Sequence, residues 1–95
     1  MATKEAYRKK LEAQLRQWDA KLDLWSASAQ KATADARIRY ENELEALKVK
    51  RAAAHRKLEE LGQRSEDAWG DMRDAMETAW DEMGKAMDKV AARFK

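Results

Sequence analysis

From Tyr7 to Leu61 an apolar side chain recurs every three or four residues, with neither proline nor glycine to interrupt the run. The stripe passes through Tyr7, Leu11, Leu15, Trp18, Leu22, Trp25, Ala29, Ala32, Ala36, Tyr40, Leu44, Leu47, Arg51, Ala54, Leu58 and Leu61, and Arg51 is its single polar member. Spacing of this kind aligns the side chains on one face of an α-helix and leaves most of the charge on the other faces. The expectation is an all-α, coiled-coil-like chain whose first helix spans 3–61. At a rise of about 1.5 Å per residue that helix would be about 88 Å long, too long to stand unsupported.

Gly62 follows the stripe directly, where a left-handed helix C-cap favours glycine. Ser65 then offers an N-cap, with Glu66 and Asp67 placed to suit the positive end of a new helix. The expected turn is 62–65 and the second helix is 66–94, giving a helical hairpin in a single domain, 1–95. An unbroken helix is the competing arrangement, because Leu61, Ser65, Ala68 and Met72 stay in phase and one internal glycine costs only about 1 kcal/mol.

The second segment repeats itself. Ala68-Trp69-Gly70-Asp71-Met72-Arg73-Asp74-Ala75-Met76-Glu77-Thr78 is followed by Ala79-Trp80-Asp81-Glu82-Met83-Gly84-Lys85-Ala86-Met87-Asp88-Lys89, and a truncated copy begins at Val90. An eleven-residue period keeps an apolar face nearly straight along a helix. That face comprises Trp69, Met72, Met76, Trp80, Met83, Met87, Val90 and Phe94, which must pack in a hairpin or lie on a surface. Gly70 and Gly84 weaken this helix and leave room for a close neighbour.

A second helix half as long as the first would cover 32–61 and leave the stripe from Tyr7 to Trp25 bare. A patch of that size is more than a monomer ordinarily exposes. Self-association through Tyr7, Leu11, Leu15, Trp18, Leu22, Trp25, Ala29, Ala32 and Ala36 is therefore expected, in an antiparallel homodimer. Its long helixes would cross where the side chains are small, at Ala27, Ala29, Ala32, Ala34 and Ala36.

Chemistry is harder to place. The chain has no cysteine and one histidine, His55, so thiolate chemistry and a multi-histidine metal site are both excluded. Glu41, Glu43 and Glu45 lack the histidine partner that di-iron bundles use. No catalytic, cofactor-binding or metal-binding residue is assigned, and no enzyme activity is expected. The net charge of +2 arises from 20 basic and 18 acidic residues. Lys48, Lys50, Arg51, Arg56 and Lys57 form a positive stretch, but acidic residues interleave with the basic ones and nucleic acid is disfavoured as a partner. The start has no signal-peptide pattern and no window is apolar enough to span a membrane, which favours a cytoplasmic location.

The opening Lys10-Leu11-Glu12-Ala13-Gln14-Leu15-x-x-Trp18, with the closing Asp67-Ala68-Trp69, Ala79-Trp80-Asp81-Glu82 and Arg93-Phe94-Lys95, resembles small bacterial coiled-coil domain proteins described as stress-response-associated. The resemblance covers most of the chain. It implies a bacterial cytosolic origin and a non-enzymatic role, and supplies no binding residues.

The sequence thus suggests a structural or protein-interaction module that self-associates and also meets another protein. The alternative is an amphipathic protein of the phasin or apolipoprotein kind, bound to a lipid or hydrophobic polymer surface. The segment 66–95 holds eight acidic and five basic residues, which suits neutral surfaces better than anionic ones.

Overall fold

A computed structural model describes residues 3–65 and 67–94. Its described residues form three α-helices: α1 (Lys4–Gln30), α2 (Ala34–Gln63) and α3 (Trp69–Arg93). They pack side by side in a rod of 52 × 18 × 17 Å. α2 runs antiparallel to both neighbours, so α1 and α3 point the same way.

The single helix expected over 3–61 is broken. Lys31 leaves α1 with φ −90° and ψ −7°, and Thr33 enters α2 in an extended conformation with ψ 160°. The backbone N–H groups of Lys31 and Ala32 donate to the carbonyls of Ser28 and Ala29, closing the last turn of α1. Energetics explain why a good helix former gives way here. Turning costs a few helical hydrogen bonds, each worth about 0.5–1.5 kcal/mol net. It brings Leu22, Trp25 and Ala29 against Leu44 and Leu47, and each large apolar side chain so buried contributes about 1.5–3 kcal/mol. Burial wins, and the small residues around Ala32 form the corner.

The bare stripe that called for an antiparallel dimer consequently does not exist. Tyr7, Leu11, Leu15, Leu22, Trp25 and Ala29 are all buried within one chain, and Trp18, Ala32 and Ala36 are half-buried. The long helix that was to carry the dimer is folded back on itself. The large apolar side chains left exposed, Leu24, Ile38 and Val49, stand singly on α1 and α2, which is ordinary for a protein surface.

The second connection also differs from expectation. Gly62 stays inside α2 with no left-handed φ, and the helix ends at Arg64, which is extended (φ −79°, ψ 149°). A cation from another helix serves the end instead. Lys4 Nζ donates to the carbonyls of Arg64, at 2.7 Å, and Gly62, at 3.4 Å, where the negative end of the helix dipole favours it. Ser65 Oγ accepts from the Ala68 amide at 3.2 Å, and the helix proper begins at Trp69, later than the expected 66. Of the expected boundaries, Glu66 lies outside the described residues.

The core has two layers. One end joins Tyr7, Leu11 and Leu15 to Ala54, Leu58, Leu61, Met76 and Trp80. The other joins Leu22, Trp25 and Ala29 to Leu44, Leu47, Met83, Met87 and Val90. Trp18 packs against both. On α3 the face read from the repeat points inward: Met76, Trp80, Met83, Met87 and Val90 are buried, while Trp69, Met72 and Phe94 are half-buried.

Candidate interaction surface

The three seams of the bundle are built differently. α2 contributes leucine and alanine to the core, and α1 and α3 each lie close to it, backbone to backbone. Between α1 and α3 the contacts are aromatic. Tyr7 meets Trp69 with ring centres 5.6 Å apart, Trp18 meets Trp80 at 6.0 Å, and Trp25 stacks on Phe94 at 5.8 Å. Arg73 lies over both Tyr7 and Trp69, its guanidinium 5.7 and 5.9 Å from their ring centres, within the reach of a cation–π attraction. Rings of this size act as rungs that hold the two helices apart.

Ion pairs follow the same division. Arg51, the polar member of the stripe, donates from Nε and Nη2 to the two carboxylate oxygens of Asp19, both at 2.8 Å, and so ties α2 to α1. Arg93 reaches Glu43 at 2.8 Å and ties α3 to α2. Among the described residues no ion pair joins α1 to α3.

A groove of about 500 Å³ follows that third seam. Leu11, Trp18, Trp80 and Met87 line its floor; Lys10, Gln14 and Lys21 form the α1 bank, and Glu77, Asp81, Gly84 and Asp88 the α3 bank. Tyr7 lines it as well, and although Tyr7 and Trp80 are more than nine-tenths buried, the Tyr7 hydroxyl and Trp80 Nε1 find no hydrogen-bond partner among the described residues. Burial, with the nearby carboxylates of Glu77 and Asp74, raises the pKa of Tyr7 above its ordinary value, and Arg73 opposes this. The Gly84 position is open: a Cβ placed there would meet nothing within 4 Å.

Of the residues singled out in the sequence, the nine of the expected self-association stripe mostly form core, and the eight of the α3 face oppose them. The structure brings Trp18 and Trp80 together from the two sets. What the periodicity missed is the charged flanks, Lys10, Lys21, Glu77, Asp81 and Asp88; Gly84, read as room for a close neighbour, lies among them. The separation of basic residues on one side of α1 from acidic ones on one side of α3 was their available signal. His55 pairs with Glu59 one turn on, Nδ1 to Oε1 3.3 Å, on the surface of α2. Among the described residues no three histidine, aspartate or glutamate side chains are grouped to hold a metal ion, and no helix is long and apolar enough to cross a membrane.

Comparison with protein-family models, with curated proteins and with solved structures finds no match.

Proposed function

We propose that this chain is a non-enzymatic helical module that works by contact with a protein partner on its α1–α3 face. The observation that carries this reading is the asymmetry of the three seams. Two are closed by backbone proximity and an ion pair each, whereas the third is left as an open groove with a part-apolar floor and charged banks. A groove between two helices is a common seat for a third, which lays its apolar side chains along the floor. The buried side chains of the described residues are apolar or aromatic. Apart from the Tyr7 phenol, the ionisable groups of the described residues therefore sit at or near the solvated surface, away from the kind of water-excluded site in which proton transfer is tuned.

A second reading has its own support. Gly70 and Gly84 weaken α3 by about 1 kcal/mol each relative to alanine, yet neither has a close neighbour that requires glycine. With no side-chain cap at Ala68 and, among the described residues, no ion pair to α1, α3 is the helix most easily released. Released, its Trp and Met face would suit a lipid or polymer surface.

Hydrogen exchange with and without phosphatidylcholine vesicles separates the two. The contact module keeps its α3 amides protected and does not float with the vesicles. Flotation together with loss of contact between α1 and α3 would remove the module reading and establish the surface one.

A further inference from the structure

The two banks of the α1–α3 groove carry opposite charge. Lys10 and Lys21 stand on the α1 side, and Glu77, Asp81 and Asp88 on the α3 side. We propose that the occupant of the groove is a second copy of this chain, in a homodimer whose two-fold axis runs parallel to the helices. The inference rests on the reading of this face as a contact surface and names its partner.

Symmetry and charge together select the geometry. In a two-fold dimer the same patch meets itself, and the axis lies in the plane of contact. An axis across the helices would set α1 against α1 and α3 against α3, with lysines facing lysines and carboxylates facing carboxylates. Like-charge juxtaposition of this kind is strongly disfavoured. An axis along the helices sets α1 of each copy against α3 of the other and keeps every residue at its own level. The contact of Trp18 with Trp80 shows which levels coincide. Lys21, one turn beyond Trp18, therefore meets the stretch from Asp81 to Asp88 of the second copy, whereas Lys10, just beyond Tyr7, comes level with the stretch from Met72 to Asp74. The dimer so built is parallel, opposite to the antiparallel one suggested by an unbroken first helix.

The banks are free to make these contacts. Glu77 and Asp81 pair with Arg73 and Lys85 on their own helix, at 3.2 and 3.1 Å, in exposed i,i+4 pairs. Such pairs are weak and share their charge readily. Shape agrees with charge, since the open position at Gly84 lets a neighbouring helix approach closely. A side of the rod measuring 52 by 18 Å accommodates the roughly 800 Å² per partner of an ordinary interface.

Sedimentation equilibrium up to about 1 mM, a range that captures weak association, tests the proposal. The expected mass approaches twice 11.0 kDa. Lys21→Glu and Asp88→Lys should each weaken the dimer about tenfold or more by creating like-charge contacts. A mixture of the two variants should recover it, because each heterodimer regains an opposite-charge contact on both sides. Gly84→Leu should give a folded monomer, with circular dichroism confirming its helices. A wild-type mass of 11.0 kDa throughout overturns the proposal. So does a dimer that survives Gly84→Leu, or a mixture that fails to recover. A monomer that stays closed on vesicles removes this dimer alone and leaves the module with a different partner. A chain that opens on vesicles removes the module reading itself.

Discussion

Arg51 and Asp19 form a two-pronged contact across the α1–α2 seam, with both nitrogen–oxygen distances at 2.8 Å. Asp19 lies on the α2 side of α1, and Arg51 sits at a stripe position where leucine or alanine would otherwise stand. The pair fixes the register of the hairpin near its middle. Both side chains remain partly in water, at 31% and 40% exposure, so the expected coupling energy is about 0.5–1 kcal/mol. A double-mutant cycle with Arg51→Met and Asp19→Asn in urea measures it, and the coupling should shrink in high salt. Arg51→Lys should forfeit most of it, because an ammonium cannot present two parallel donors.

Ala34→Pro distinguishes the corner from a continuous helix. Position 34 opens α2, where the missing N–H has no helical partner to lose, and Thr33 before it is already extended. The substitution should leave the melting temperature unchanged or raise stability by about 0.4–1 kcal/mol. Inside an unbroken helix it would cost about 3 kcal/mol. Thermal melts of the two proteins decide between these outcomes.

Tyr7 links stability to alkaline pH. Its folded-state pKa is raised above the ordinary 10.0, so folding favours the neutral phenol. The stabilisation is fully present below the unfolded-state value and disappears as pH rises through the folded-state one. Tyr7→Phe should abolish this alkaline limb in denaturant titrations taken through pH 10 and above. It should cost little at neutral pH, since the hydroxyl it removes has no partner among the described residues.

Core truncations should be severe in proportion to burial. Leu61, Met76 and Met83 are the largest fully buried side chains, and changing any of them to alanine should cost about 2–5 kcal/mol. For a domain whose total stability is of the order of 5–15 kcal/mol, one such change removes much of it. Leu24→Ala, at an exposed position, should stay within about 0.5 kcal/mol. Urea unfolding of the four variants gives the comparison.

The helical character and the inward faces were legible in the residues themselves. A period of 3.6 is a local property, and Tyr7, Leu11 and Leu15, like Met76, Met83 and Met87, obey it regardless of what covers them. The corner at Lys31–Thr33 was not legible in the same way. It has neither glycine nor proline, and its alanines read as good helix. The force that makes it is tertiary, the meeting of Trp25 with Leu44 and Leu47, and no local pattern encodes that. Gly62 misled in the opposite direction. Glycine permits a left-handed cap without requiring one, and Lys4 from α1 supplies the helix end by other means. The candidate surface was the least legible part, because it lies on the flanks of two helices that become neighbours only once the corner exists.

All four tryptophans belong to α1 and α3, and α2 has none. The aromatic rungs that space these two helices are therefore also the chain's intrinsic fluorophores. Trp18 and Trp80 stand close enough to share excitation, and Trp25 and Trp69 report from opposite ends of the same seam. Emission colour, anisotropy and iodide quenching read that one line of the molecule without any label. Events confined to the outer face of α2 should pass unseen. Anything that enters or parts the α1–α3 seam should announce itself in the light the protein already gives.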